Sequence, residues 1–259
     1  MRLSIDARLH YSIEQPADLL VQIETAAMSD QTIVSERFDA GTSSHIHRIL
    51  AEDNVGTRVW LRCEEELRCH YHAEVEVSRS LPDLSALRQD PVHTLPHEAV
   101  RYLMASRYCP SDEFQSFVAA EFNRLDGGAT IQEMANWIAD HFTYSPGASG
   151  PQTTALDTFV QRRGICRDFA HVLVSLARAR AIPARMVSAY GPEVNPPDFH
   201  AVVQVWLEGR WHLVDPTRMC APDRLAIIGV GRDAADIAFL TSYGWVTLVN
   251  QTVQVREIA

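Results

Sequence analysis

The 259-residue chain contains no lysine, because all 23 of its basic residues are arginine. A pyridoxal-phosphate Schiff base, a lysine-dependent aldolase and a Walker A phosphate loop each require a lysine side chain, so these three mechanisms are excluded. Cysteine is also scarce, since the chain has five, an odd number without Cys-x-x-Cys spacing. Neither a disulfide framework nor a cysteine-rich zinc site is therefore indicated.

Excess positive charge and long apolar runs are missing as well. The 23 basic residues face 33 acidic ones, and the resulting net charge of −10 argues against nucleic acid and anionic lipid as partners. No apolar run approaches the roughly 20 residues that a membrane-spanning helix needs, so we expect no membrane association. The first residues also lack the apolar stretch of a secretory signal, and we therefore expect a cytoplasmic protein.

The amino-terminal part of the chain alternates apolar and polar residues with a period of two. The alternation covers residues 3–13 and 67–77, and shorter β-like runs lie near residues 19–23, 32–35 and 58–63. A half-buried strand satisfies this period, whereas a helix does not. Pro82, Pro91 and Pro96 then mark a connector. The sequence thus predicts an antiparallel β domain over residues 1–95.

Residues 96–259 are predicted to form a second domain that combines helices and strands. Helical patterns cover residues 112–125 up to Asp126-Gly127-Gly128, a segment that begins at a possible capping box of Thr130 and Glu133, residues 154–162 up to Gly164, and the segment after Cys166. Strand-like runs cover residues 184–190, 200–207, 211–215 and 245–255. Helices followed by strands predict an α+β fold.

Cys166 lies where a glycine-containing turn leads into a predicted helix. The unpaired backbone N–H groups and the positive dipole end at a helix start favour a thiolate. A thiolate with a histidine within reach is a nucleophile. The alternative interpretation is that Cys166 is a small buried apolar residue, as most free cysteines are.

A two-residue turn at Glu208-Gly209 would bring a histidine and a carboxylate together. If Leu207 pairs with Arg210, His200 becomes the diagonal neighbour of Asp215 on one face of the hairpin. Asp215 would then keep one ring nitrogen of His200 protonated and orient the other nitrogen toward a thiol. A three-residue turn without a bulge would instead place the two side chains on opposite faces.

Five short stretches of the second domain occur together in a recognisable order. They are Gly164–Ala170, Ile182–Arg185 with the following Tyr190, Asp198–Ala201, Trp211, and Asp215–Thr217. In this order they resemble the transglutaminase-like superfamily, and within it the bacterial transglutaminase-like cysteine proteases. The resemblance covers residues 110–220 and implies a papain-like core, in which a helix-borne cysteine packs on an antiparallel sheet.

The resemblance also implies an acyl-transfer site that uses no cofactor or metal. Cys166 would be the nucleophile, His200 the general acid and base, and Asp215 the orienting carboxylate. The substrate would be a peptide or protein amide, and the thioester intermediate would be resolved by water, with amine transfer as the alternative. Val202 stands where members commonly have an aromatic residue, so we expect a different groove wall. The competing interpretation is a catalytically silent peptide-binding or scaffold protein on the same fold.

Two further residues near Cys166 have a functional and a structural interpretation. Gln161 is a candidate second oxyanion donor by residue type, although a solvated glutamine at a helix end is the simpler interpretation. Asp168 is expected to stabilise the start of the central helix through its dipole.

Two histidine pairs admit a metal-site interpretation. His45-Ile46-His47 and His70-Tyr71-His72 each place two imidazoles on one face of an extended strand. The second pair shares its face with Glu74 and Glu76, however, so a solvated outer face is the simpler interpretation.

Overall fold

The computed structural model of the protein describes residues 1–259. Six strands come first: β1 (Arg2–Ile13), β2 (Ala17–Val21), β3 (Gln31–Asp39), β4 (His45–Leu50), β5 (Thr57–Cys63) and β6 (Glu66–Val77). The middle of the chain forms α1 (His97–Val100), α2 (Gln115–Glu121), α3 (Gly127–His141), β7 (Thr143–Tyr144), α4 (Ala155–Gln161), β8 (Arg163–Gly164) and α5 (Cys166–Ala179). The remaining elements are β9 (Ala184–Tyr190), β10 (His200–Leu207), β11 (Arg210–Val214), β12 (Ala226–Gly231), α6 (Ala234–Ile237), β13 (Leu240–Ser242) and β14 (Val246–Ile258). None of the helices combines the length and the apolar content that crossing a membrane requires.

Two four-stranded antiparallel sheets share one apolar core and form a sandwich. Their strand orders are β14-β1-β6-β3 and β13-β2-β5-β4. The predicted alternation along β1 is confirmed, because its apolar residues are buried while the intervening polar residues are at least partly exposed. Ile5 lies opposite Ala73 of β6, and both side chains are completely buried. The period of two therefore sets which face of each strand enters the core.

The last two strands join this amino-terminal sandwich. Strand β14 pairs with β1 along its whole length, from Arg2 opposite Ile258 to Ile13 opposite Val246. Strand β13 pairs with β2. The run at residues 245–255 is thus a strand as predicted, but its partner lies within residues 1–95 and not in the second half of the chain. The period of two identifies a strand without identifying the partner that tertiary packing selects.

The second half of the chain is built around α5. This helix packs against β9 and β10 of an antiparallel sheet with the order β11-β10-β9-β12. All of its residues except Arg167 and Ala179 are buried. The predicted central helix, the strands at 184–190 and 200–207, and the α+β class are confirmed.

The start of α3 differs from the prediction. The helix begins at Gly127, so Thr130 lies fully buried inside it and does not cap it. A Cβ atom on Gly128 would lie 1.7 Å from the carbonyl oxygen of Leu84. The two glycines therefore admit another backbone segment against the helix, and they do not serve as a stop between two helices.

The flanking helices also end differently from the predictions. Helix α2 ends at Glu121, so Leu125, the last residue of the predicted helical segment 112–125, lies beyond the helix and is exposed. Helix α4 has the expected start, with a capping box between Thr154 and Asp157. The helix ends at Gln161, within one residue of the predicted 154–162, but the left-handed residue that terminates it is Arg162, with a φ of 56°, and not Gly164. The Arg162 guanidinium lies 4.3 Å from the centre of the Phe159 ring, a cation–π contact that favours this position.

Candidate active site

Cys166 is the first residue of α5, and the helix start is held from two sides. The Asp168 carboxylate accepts the backbone N–H of Ile165 at 2.8 Å and the hydroxyl of Ser149 at 2.8 Å. Arg167 donates to the Ser149 hydroxyl at 2.6 Å and to the Gly150 carbonyl at 2.9 Å. The Ser145–Gln152 loop is therefore fastened to the helix that carries the thiol. This capping role of Asp168 agrees with the structural interpretation of that residue.

The hairpin that carries the other two predicted residues has the expected register. Glu208 and Gly209 form the turn with φ values of 49° and 74°, which a two-residue turn of this hand requires. Leu207 pairs with Arg210. In this register Trp206 pairs with Trp211, and the centroids of the two rings are 5.2 Å apart.

This register brings His200 and Asp215 into contact. His200 Nε2 lies 2.9 Å from Asp215 Oδ2, and both side chains are almost fully buried. The same oxygen accepts the backbone N–H of Cys220 at 3.1 Å. The other oxygen accepts the backbone N–H of Thr217 at 2.9 Å and the Thr217 hydroxyl at 2.7 Å. The carboxylate is thus fixed in place by four hydrogen bonds and can set the orientation of the imidazole.

The pKa of the His200 imidazole depends on both of its neighbours, Asp215 and Cys166. Burial lowers the pKa of His200, but the hydrogen bonds and charges of Asp215 and Cys166 outweigh burial and raise it to about 10. Burial raises the pKa of the Asp215 carboxyl, yet the hydrogen bonds from His200 and Thr217 hold it below its usual value. His200 Nδ1 is buried without a hydrogen-bond partner. The side of the ring that Asp215 leaves free is therefore available to the nearby Cys166 thiol, which is among the groups that raise the pKa of His200.

Tyr144 also belongs to this cluster, although no pattern in the sequence indicates it. Strand β7 pairs in parallel with β8, which places Tyr144 beside Gly164, and the Ser145 N–H donates to the Gly164 carbonyl at 2.8 Å. Burial and then the charge of Cys166 raise the pKa of the Tyr144 hydroxyl, which lies beside both the thiol and the backbone N–H of Cys166. No periodicity marks a two-residue parallel bridge across 20 residues of sequence, so the sequence carried no signal for it.

Comparison with known proteins identifies the fold of this site. The profile of the transglutaminase-like superfamily matches residues 117–216, which include Cys166, His200 and Asp215. A crystal structure from Cytophaga hutchinsonii, named provisionally as a cysteine protease, is 30% identical and superposes with a TM-score of 0.94. That match covers 99% of this chain and 90% of the other. The chain belongs to the transglutaminase-like superfamily.

Two curated proteins match this chain over shorter segments. An uncharacterized Mycobacterium leprae protein is 36% identical over 114 residues, which is 40% of each chain. A protein-glutamine gamma-glutamyltransferase of Pseudomonas aeruginosa is 37% identical over 95 residues, or 32% of this chain and 14% of that protein. The matched segments therefore span less than half of these curated relatives.

The other candidate residues from the sequence are Gln161 and the two histidine pairs, and they are not part of the cluster around His200. Gln161 is exposed at the end of α4, which agrees with a solvated helix end. His70 contacts Asp6 on the outer face of the sandwich, with 2.7 Å between Nε2 and Oδ2. His45 and His47 lie on β4, and both are exposed.

Proposed function

We propose that the protein is a cysteine-dependent acyl-transfer enzyme, in which Cys166, His200 and Asp215 form the catalytic triad. The supporting observation is that the two ring nitrogens of His200 have different surroundings. Nε2 faces the Asp215 carboxylate, and the buried Nδ1 has no hydrogen-bond partner and is available to the thiol. A histidine held in this way can take a proton from a thiol and later return it to a leaving group.

In the proposed reaction, the Cys166 sulfur attacks the carbonyl carbon of a peptide or protein amide, and its proton is held on His200 Nδ1. Collapse of the tetrahedral intermediate breaks the C–N bond, and the imidazolium donates its proton to the departing amine. The thioester is then attacked by water, which His200 deprotonates, and the carboxylic acid and the free thiol are released. A primary amine in place of water would give a new amide.

The oxyanion of the tetrahedral intermediate needs hydrogen-bond donors. The backbone N–H of Cys166 is one donor at the start of α5. We assign the second role to the Tyr144 hydroxyl, which lies beside that N–H and beside the thiol. This assignment replaces Gln161.

Two further proposals concern the domain boundary and the cellular location. We propose a catalytic unit that begins near residue 96, with β13 and β14 returning to the amino-terminal sandwich. We also propose a cytoplasmic location, since all five cysteines are free thiols, namely Cys63, Cys69, Cys109, Cys166 and Cys220. Fractionation of the source cells would test the location.

Selective alkylation tests the nucleophile without knowledge of the substrate. Cys166 is 8% exposed and the other four cysteines are at most 3% exposed. Iodoacetamide should therefore modify Cys166 first, and mass spectrometry would locate the label, with Cys166→Ala as the matched control. Peptide and glutamine-amide libraries should be turned over by the wild type and not by Cys166→Ala. Labelling of Cys166 no faster than that of the buried thiols, or no turnover by either protein, would favour the silent scaffold interpretation, and equal turnover by both proteins would overturn the role of Cys166.

A further inference from the structure

A carboxylate close to the proposed triad has no cationic partner in the chain. Asp198 lies two residues before His200, and neighbouring atoms cover only part of its surface. Its Oδ1 atom accepts the backbone N–H of Phe199 at 2.7 Å and the side-chain amide of Gln251 at 2.6 Å. Both donors are neutral, and Oδ2 accepts no hydrogen bond. Partial burial raises the pKa of Asp198, as expected for a carboxylate whose lost hydration no cation replaces.

Asp198 lies between the proposed triad and the edge of the sandwich. It precedes His200, the first residue of β10, by two positions. Gln251 of β14, which binds Asp198, pairs with Leu9 of β1. Asp198 therefore lies at the rim of the proposed catalytic site, between His200 and the β1–β14 edge. In agreement with this position, its charge raises the pKa of Tyr144, after burial and the charge of Cys166.

The sandwich edge adds apolar surface next to this carboxylate. Leu248 pairs with Tyr11, and it lies on the same strand as Gln251, which binds Asp198. The Leu248 side chain is half exposed. An arginine, Arg256, lies on the wall of the small hollow that Asp198 lines, but it donates to Gln254 and forms no ion pair with Asp198.

We propose that Asp198 selects substrates that carry a lysine or arginine side chain next to the amide attacked by Cys166. This inference rests on the proposed function and names its substrate class. The ammonium or guanidinium group would donate to the free Oδ2 atom, and the methylene stem would pack on Leu248. The chain has no lysine of its own and a net charge of −10, so long-range attraction also favours a cationic substrate.

The test compares charged reagents at Cys166 and needs no substrate. Aminoethyl methanethiosulfonate is cationic and sulfonatoethyl methanethiosulfonate is anionic, and both form a disulfide with a thiol and release a sulfinate. We expect the cationic reagent to modify Cys166 faster, and Asp198→Asn to lower the cation-to-anion rate ratio by about fivefold or more at low ionic strength. Asparagine retains an oxygen for Phe199 and Gln251. Glu76→Gln, which removes one charge on the exposed outer face of β6, is the matched control and should leave the ratio unchanged.

The outcomes separate this inference from the proposed function. Rapid labelling by neutral iodoacetamide together with a rate ratio that Asp198→Asn does not change would overturn the role of Asp198 alone. Slow labelling by iodoacetamide together with a ratio that falls in Asp198→Asn would overturn the nucleophile and support the charged rim. Failure of all three reagents to reach Cys166 in the folded protein would overturn both. Paired peptides with lysine or norleucine beside the amide should then differ in kcat/KM in the wild type, and less in Asp198→Asn.

Discussion

At the scale of single residues, hydrogen bonds hold the Asp215 carboxylate in one orientation. Each of its oxygens accepts two hydrogen bonds, from His200 and Cys220 on one side and from the Thr217 N–H and hydroxyl on the other. Its geometry is therefore set before any substrate arrives, which is the preorganisation that proton transfer through an imidazole requires.

Asp215→Asn should disable this arrangement while keeping its shape. In the wild-type protein both carboxylate oxygens accept hydrogen bonds. In either orientation of the asparagine amide, its NH2 group would therefore face other hydrogen-bond donors, and the tautomer and orientation of His200 would change. We expect amide turnover to fall by about 10³- to 10⁴-fold and the iodoacetamide rate at Cys166 to fall as well. Steady-state kinetics and timed labelling measure the two effects. Wild-type values in both would contradict the assignment of Asp215.

Tyr144→Phe should separate oxyanion stabilisation from thiol activation. Loss of one oxyanion donor is expected to lower kcat by about 10²-fold. Alkylation of Cys166 by iodoacetamide forms no oxyanion, so its rate should change by less than about twofold. An equal fall in turnover and alkylation would show that Tyr144 acts on the thiol. Arg107→Ala, at an exposed arginine over Tyr108, is a surface control for which we expect neither change.

The sequence predicted the contact between His200 and Asp215 because turn length and strand register determine it. Only the residues from 200 to 215 enter that argument, and all of them are contiguous. The position of Tyr144 depends on the bridge between β7 and β8 and on the Ser145–Gln152 loop, which Arg167 fastens to α5. Local patterns carry no information about such pairings.

At the scale of elements, the start of α3 shows that the structural role of a glycine can depend on residues that are distant in the sequence. Read locally, Gly127 and Gly128 indicate a helix stop. In the structure, the Gly128 N–H donates to the Leu87 carbonyl at 2.9 Å, and the segment around Leu84 packs directly on the helix. That segment lies some 40 residues earlier, so no local pattern could indicate it.

Gly128→Ala should therefore destabilise the protein, although alanine is the better helix former by about 1 kcal/mol. The added Cβ would clash with a backbone oxygen of Leu84, which cannot rotate away as a side chain can. We expect the free energy of unfolding to fall by about 1–3 kcal/mol, as in overpacked cores. Urea unfolding measures it, and Gly150→Ala, where a Cβ meets nothing within 4 Å, is the control. A stabilised Gly128→Ala protein would show that the segment is free to move.

At the scale of the whole molecule, buried charge joins the sandwich to the half of the chain that carries His200. Asp53, in the turn between β4 and β5, accepts from Arg185 at 2.7 Å and from Arg101 at 3.2 Å. Arg185 lies on β9, and its side chain is only 5% exposed. Its guanidinium also lies 4.1 Å from the centre of the Trp211 ring. The β-sheet that carries His200 therefore depends on the sandwich for a counter-charge.

Asp53→Asn should expose this dependence. Asparagine tolerates the φ of 54° at this position, so the change mainly removes the charge that compensates Arg185. A buried cation left without its partner costs about 3–5 kcal/mol of unfolding free energy, which urea unfolding would measure. Glu52→Gln is the control, because Glu52 pairs with the more exposed Arg101 and should cost less than about 1 kcal/mol. Adding Arg185→Met to Asp53→Asn should recover part of the loss, since the uncompensated charge is gone. Equal costs for Asp53→Asn and Glu52→Gln would mean that water reaches Arg185 and that the two halves are joined chiefly by their apolar contacts.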